Sequence, residues 1–414
     1  MQFAVKLKRW ARVVATVALV SLVAACGGGG GGSSDSSSGS SGLPASPTAQ
    51  PIAANAANTA AITVGTGTSN VINIPTVTVT VCVPGTSSCQ SIPNVQVDTG
   101  SFGLRIASGV LSVALPQAAV PNGSGTLVEC TNFADGYSWG SVRTATVQVG
   151  GESTTTSIPV QVLGDVSFLV PSGCVSGSEE NTVSALGANG ILGIGVAPYD
   201  CGSACATGQN SSYYACSGAS CARTLVPVTN QVANPVAHFA VDNNGVIVEM
   251  APVSSTGSAS GTGTLVFGIG TQSNNARAAS QIFTTDAAGD LNNSSFNGRQ
   301  LAAFFDSGSN AYFFADSSLP LCASNFKGFY CPSSGQTRSV NVAGLNGVSG
   351  VANLGILSAA TLFANGNNYA FNDLGGQIGG GSSFDIGLPY FYGRYMYFGF
   401  DQSANGGQAP YVGY

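Results

Sequence analysis

The sequence predicts an all-β protein built as two lobes around a cleft, and three observations carry that expectation. Valine and threonine alternate with period two, most clearly in Ile74-Pro75-Thr76-Val77-Thr78-Val79-Thr80-Val81, the pattern of a strand with one buried face. An apolar residue followed by Asp, Ser/Thr, Gly and Ser occurs at Val97-Asp98-Thr99-Gly100-Ser101 and again at Phe305-Asp306-Ser307-Gly308-Ser309, one copy in each half. About 350 residues remain after an N-terminal leader and a Gly/Ser-rich stretch, enough for one large domain or two joined lobes.

The elements follow in chain order. Lys6, Lys8, Arg9 and Arg12 precede an uncharged, largely apolar run over residues 13–25. That run is too short to favour a membrane-spanning helix and reads as a signal peptide, residues 1–25. It ends in Val23-Ala24-Ala25-Cys26, which resembles the lipobox of bacterial lipoproteins. The resemblance implies cleavage before Cys26 and lipid on its thiol, which would hold the protein at a bilayer. Gly27 follows the cysteine where aspartate would resemble an inner-membrane retention signal, so an outer-membrane lipoprotein is implied. Residues 26–61 are rich in Gly, Ser, Ala, Pro and Asn and read as a lipidated, flexible tether. An N-terminal β lobe over 62–240 and a C-terminal β lobe over 241–414 complete the expected layout.

Composition narrows the function. Charged residues make up 7% of the chain, the formal net charge is -6, and four of only 12 Lys and Arg lie in the leader. Nothing is left to neutralise a phosphate backbone, so nucleic acid is excluded as a partner. Aromatic and branched apolar residues run through both halves, so the low charge does not signal disorder. Of 11 cysteines, ten remain beside Cys26, an even number in a compartment that permits disulfides. Cys82 with Cys89 and Cys322 with Cys331 suit local staples. For Cys201, Cys205, Cys216 and Cys221 a nested pairing, 201–221 and 205–216, is expected. A structural zinc on those four sulfurs is the alternative that the oxidising setting disfavours.

The paired motif carries the chemistry. Water held between two carboxylates can attack a peptide carbonyl if one carboxylate is ionised to take its proton and the other is protonated to donate one. Two carboxylates held close cannot both ionise easily, so such a pair shares a proton. Glycine after each Asp-Ser/Thr permits a tight turn and close approach of the two loops. Hydroxyls of Thr99, Ser101, Ser307 and Ser309 are placed to hydrogen-bond and orient the acids.

At this point the sequence resembles the bilobal, pepsin-like aspartic proteases. Phe133-Ala134-Asp135-Gly136-Tyr137-Ser138-Trp139-Gly140, followed by Ala145-Thr146-Val147-Gln148-Val149-Gly150, looks like that family's flap hairpin and its returning strand. Asn189-Gly190-Ile191-Leu192-Gly193-Ile194-Gly195 is similar to the segment that closes the first lobe's motif. Gly263-Thr264-Leu265-Val266-Phe267-Gly268 resembles an early strand of the second lobe. Gly387-Leu388-Pro389-Tyr390-Phe391-Tyr392, with Val412-Gly413, looks like the segments that close that lobe. These landmarks keep the family's order over roughly 70–414. The layout also resembles a family of uncharacterised bacterial lipoproteins with two such motifs.

The resemblance implies a divergent pepsin-like fold with Asp98 and Asp306 as the catalytic pair. Thr99, Gly100, Ser101, Ser307, Gly308 and Ser309 would support them, and Phe133, Tyr137 and Trp139 would contact substrate. Phe133 stands where the family's flap carries tyrosine, so the lid lacks that hydroxyl and Tyr137 or Trp139 is expected to reach inward. The expected protein is a monomeric, membrane-anchored endopeptidase that acts on peptide or protein and needs no cofactor or metal. A catalytically inactive relative that binds peptide or glycan shares every motif. A structural β sandwich or solenoid would leave the two acids far apart. His238, the single histidine, lies in a strand-like run without a nucleophile elbow, which argues against a Ser-His-Asp hydrolase. Asp165 and Asp385 read as surface or turn acids.

Overall fold

The computed structural model describes residues 43–414 except 122, 135 and 209. The expected signal peptide, the expected lipidation residue Cys26, residues 27–42 and Asp135 of the hairpin lie outside the described residues. Among the described residues strands dominate, in one 17-stranded and one 7-stranded sheet. No helix among the described residues is long and apolar enough to cross a membrane.

Local sequence explains the strands. In Thr76–Cys82 the residues Val77, Val79 and Val81 are buried while Thr78 is exposed, as period two requires. This strand pairs antiparallel with Cys89–Asp98, and the Cys82–Cys89 disulfide closes the hairpin.

The two halves repeat one three-strand unit. Cys89–Asp98 runs into the first motif and Phe102–Ala107 leaves it. Gly190–Ile194 inserts between them, parallel to the first with Gly193 opposite Asp98, and antiparallel to the second. In the second half Arg299–Asp306 enters the motif and Tyr312–Phe313 leaves it. Ser383–Gly387 lies between them, with Gly387 opposite Asp306 and Asp385 opposite Phe313. Each motif is thus a loop at the end of a strand held on a neighbouring strand.

A six-stranded antiparallel layer joins the halves. Its order is Thr59–Val64, Gly261–Phe267, Gly245–Met250, Tyr395–Gly399, Tyr411–Gly413 and Ile282–Thr284. The largest apolar cluster takes Val79, Val97 and Leu192 from the first half, Ala303, Phe384 and Ile386 from the second, and Val248, Met250 and Leu265 from this layer, all at 0% exposure. Burying each such Val or Leu contributes about 1.5–3 kcal/mol.

Three expectations are corrected here. The described part of the 26–61 tether is packed chain. The Ala49 amide donates to the Gly393 carbonyl at 3.2 Å and the Ile52 amide to Glu249 Oε2 at 2.7 Å, while the Tyr395 hydroxyl donates to the Gln50 carbonyl. Composition hid this, because backbone groups rather than side chains make most of the contacts. The nested cysteine pairing is replaced by Cys201–Cys205 and Cys216–Cys221. Strands Tyr213–Ser217 and Ser220–Arg223 form a hairpin that sets Cys216 opposite Cys221, and Cys201 and Cys205 flank the start of a short helix, Ser203–Thr207. Cys322–Cys331 forms as expected, and Cys130–Cys174 is added. The run around His238 is a 3-10 turn, Pro235–His238, because the Asn234 side chain accepts the Val236 amide and proline occupies the first turn.

Candidate active site

The two motifs meet. The Gly100 amide lies 3.0 Å from Asp98 Oδ1 and 3.2 Å from Asp306 Oδ1, so one N–H is shared between the carboxylates of both halves. The Gly308 amide donates to Asp306 Oδ1 at 2.8 Å. The Ser101 hydroxyl is 2.6 Å from Asp98 Oδ2 and the Ser309 hydroxyl 2.9 Å from Asp306 Oδ2. Each acid therefore has one oxygen turned to backbone amides at the centre and one turned to the serine of its own motif. This convergence rules out the sandwich or solenoid reading, which needs the acids apart.

The glycines are where they are because the opposite acid fills their side-chain space. A Cβ on Gly100 would stand 2.6 Å from Asp306 Cγ, and one on Gly308 would stand 2.5 Å from Asp98 Oδ1. Any other residue would push the loops apart.

The four hydroxyls divide into two pairs, a refinement of the expectation that all of them orient the acids. Ser101 and Ser309 do so. Thr99 and Ser307 instead cross-link the loops. Thr99 Oγ1 donates to the Phe305 carbonyl at 3.1 Å and accepts the Ser307 amide at 2.9 Å. Ser307 Oγ donates to the Val97 carbonyl at 2.9 Å and accepts the Thr99 amide at 3.2 Å. Gln96 adds a further bridge, its Nε2 donating to the Gly308 carbonyl at 2.9 Å. These are buried hydrogen bonds between segments more than 200 residues apart, and each costs about 1–3 kcal/mol to leave half-made.

Both carboxylates are at 0% exposure. The expected flap is the hairpin of Thr126–Asn132 and Gly136–Val149. Its edges are occupied: Tyr213–Ser217 pairs along the first strand, and Ser178–Glu179 pairs with Gly136 and Tyr137. The Cys130–Cys174 disulfide pins it further. Phe133 is buried with Ala107, Leu163, Leu186 and Ile191. Tyr137 and Trp139 do not reach inward as expected. They pack with Val128, Tyr214 and the Cys130–Cys174 pair; Trp139 meets Tyr214 edge-on at 5.3 Å, and the Tyr137 hydroxyl faces Glu179 at 3.5 Å. The disulfide and Tyr214 supply an apolar face that competes successfully for both rings.

Sequence reasoning missed two further sets of groups. Arg105, on the strand leaving the first motif, is at 1% exposure. It donates to the Phe102 carbonyl at 2.6 Å, to Gln161 Oε1 at 3.0 Å, to Glu129 Oε1 at 2.9 Å and to Asp200 Oδ2 at 3.2 Å. Burial, and then the Glu129 charge, push the Asp200 carboxyl well above the usual carboxylate range. The scarcity of charge was the available signal: an arginine inside Phe102-Gly103-Leu104-Arg105-Ile106-Ala107 must be paired if buried. The second is Asp385, read as a surface or turn acid. It is at 0% exposure, and the Ser309 hydroxyl donor-acceptor oxygen lies 2.6 Å from its Oδ2. Asp165 is half-buried as the partner of Arg143 Nη2 at 2.8 Å and the Ser141 amide at 2.8 Å. Among the described residues no group of three or more His, Cys, Asp or Glu is placed to hold a metal.

The repeated Asp-bearing unit and the joining layer make this a divergent, bilobal pepsin-like aspartic-protease fold. The chain belongs to the family described as protein of unknown function (DUF3443), whose model matches residues 54–414. No curated protein matches it. Among solved structures it is similar to the aspartic proteinase from Irpex lacteus, at 16% identity and a TM-score of 0.46, over 86% of this chain and 96% of that one.

Proposed function

We propose that this chain is an aspartic endopeptidase, anchored at the cell envelope through lipid on Cys26, that hydrolyses peptide bonds with a water activated between Asp98 and Asp306. The observation that carries the reading is the single Gly100 N–H lying within hydrogen-bond reach of both Asp98 Oδ1 and Asp306 Oδ1. Two carboxylates so close hold one proton between them most readily, which gives a base and an acid at one point. The ionised acid takes a proton from water as its oxygen bonds to the carbonyl carbon. The protonated acid gives its proton to the carbonyl oxygen, and the tetrahedral species collapses with a proton delivered to the leaving nitrogen. Thr99, Ser307 and Gln96 hold the loops in register, and Ser101 and Ser309 fix the outer oxygens, so the geometry is set before substrate arrives.

The test is cleavage of a mixed peptide library between pH 3 and 7 by the parent chain beside D98N and D306N. Cleavage by the parent and a loss of at least about 10³-fold in both variants supports the reading. Equal cleavage by parent and variants refutes it. One observation favours a second reading, a non-hydrolytic lipoprotein that holds a peptide or glycan: both acids are at 0% exposure, and the hairpin expected to act as a flap is hydrogen-bonded on both edges. A folded parent that retains peptides without cleaving them at any pH would support this alternative.

A further inference from the structure

The outer face of the six-stranded layer holds a slot that the paired acids do not use. Along Tyr395–Gly399 the side chains alternate: Met396 and Phe398 are buried in the main core, and Tyr395 and Tyr397 face the other way. Two segments bound these tyrosines. In the first, the Ala49 amide donates to the Gly393 carbonyl at 3.2 Å, and the Tyr395 hydroxyl donates to the Gln50 carbonyl. In the second, the Ala278 amide donates to the Tyr397 hydroxyl at 3.3 Å, and the Ser280 amide and hydroxyl donate to the Tyr414 main-chain oxygen at 3.1 and 3.0 Å. Ala49, Ala278 and Ala279 are too small to close the gap between them. A slot of about 290 Å³ is left, lined also by Arg394 and Tyr414.

Arg394 gives the slot its chemistry. Its Cζ stands 3.8 Å from the centre of the Tyr390 ring, and its Nη1 donates to the Tyr390 carbonyl. Stacking on a ring holds the guanidinium plane in place. Among the described residues no Asp or Glu forms an ion pair with it. Asp373 feels the guanidinium charge without pairing with it, and Glu249, opposite Tyr395 in register, has its Oε2 engaged by the Ile52 amide at 2.7 Å. A guanidinium carries five N–H donors in a planar fork that matches a carboxylate, so donors remain for an anion. The rest of the lining is alanine and tyrosine, which suits an apolar body and a single negative charge better than a doubly charged phosphate. At about 290 Å³ the slot is at the small end of ligand sites and has room for one ring and one acid group.

We propose that this slot binds a carboxylate that carries an aromatic ring, the acid paired with Arg394 and the ring laid on Tyr395 and Tyr397 between the alanines. A free arylalkanoic acid and the carboxyl-terminal aromatic residue of a peptide share this chemistry. The site is separate from the paired acids and stands whether or not the chain cleaves peptides. It nevertheless backs onto them. The Tyr390 and Tyr414 rings are 5.6 Å apart and meet Phe305 at 5.5 and 5.4 Å, and Phe305 immediately precedes Asp306. An occupant that touches Arg394 and Tyr414 is one layer of rings from the strand that carries Asp306.

The test is an NMR titration of the full chain with 3-phenylpropanoate, beside 3-phenylpropanamide as the uncharged control. The parent is expected to bind the acid with a Kd of about 1 mM or tighter, and the amide at least about tenfold more weakly. Arg394→Met removes the fork, and Ala278→Leu, at an exposed position, fills the slot. Each variant, checked for folding by circular dichroism, is expected to bind the acid at least about tenfold more weakly than the parent. N-acetylglycyl-L-phenylalanine, too short to span a cleft as an endopeptidase substrate, separates the two sources. Binding as tight as that of the free acid points to a peptide terminus, and binding at least about tenfold weaker points to a free acid; either result supports the site. Equal affinity for acid and amide, unchanged affinity in either folded variant, or no binding of the acid by about 10 mM overturns the proposal.

Discussion

Replacing Gly100 by alanine puts a methyl group into space that Asp306 already fills. The added carbon would lie 2.6 Å from Asp306 Cγ and 2.7 and 2.9 Å from its two oxygens. Ordinary contact is about 3.5 Å, so the loops must separate by about 0.9 Å. Asp306 cannot simply swing away, because the Gly308 amide and Ser309 hydroxyl hold it at 2.8 and 2.9 Å and its side chain is fully buried. Forcing a buried, well-packed contact of this kind costs about 1–3 kcal/mol. A misplacement near 1 Å costs about 10²-fold in rate. Thermal unfolding and kcat/KM on G100A measure the two effects. The mirror variant G308A, whose methyl would sit 2.5 Å from Asp98 Oδ1, is expected to behave alike. Gly109 has no atom within 4 Å of an added Cβ, so G109A serves as the neutral control. G100A with the control's stability and the parent's rate would refute the claim that the motifs pack against each other's acids.

Other consequences follow from the same contacts. Thr99→Val keeps the shape but removes the hydroxyl between Phe305 and Ser307, and is expected to lower stability by about 1–3 kcal/mol in denaturant unfolding, more than Thr78→Val on the exposed face. Arg105→Met leaves Glu129 and Asp200 buried without their cation and is expected to cost about 3–5 kcal/mol; Arg105→Met combined with Glu129→Gln and Asp200→Asn should recover part of that loss. Burial pushes the Glu249 carboxyl up to about 7, partly offset by the Ile52 amide. The folded chain then holds a proton that the unfolded chain releases near its ordinary value, 4.5. Stability from this group is full below that value and is lost as pH rises to about 7. The loss is on the order of 2 kcal/mol, and the unfolding midpoint of Glu249→Gln should be flatter over that window.

The site was legible in the sequence to the extent that its requirements are local. A carboxylate at the end of a strand, a hydroxyl beside it and a glycine that leaves room for a second loop make a pattern of adjacent residues. Its duplication at Asp98 and Asp306 announces a partner. The period-two run at Thr76–Cys82 and the short staples Cys82–Cys89 and Cys322–Cys331 are likewise decided by near neighbours. The cluster between Cys201 and Cys221 was not, because four close sulfurs admit several pairings. The Tyr213–Ser217 hairpin register, set by pairing with Thr126–Asn132, chooses among them.

What the sequence alone determined is a β-rich chain with two acids built to meet. Only the tertiary structure decided what surrounds them. Tyr137 and Trp139 went to the apolar face offered by Tyr214 and a disulfide, residues 43–58 found backbone partners on the second half, and Asp385 came to lie against Ser309. Each of these outcomes depends on partners from 35 to 345 positions away. Burial and pairing across such separations leave no periodicity or spacing to read, because they are fixed by which surfaces come together when the sheets close.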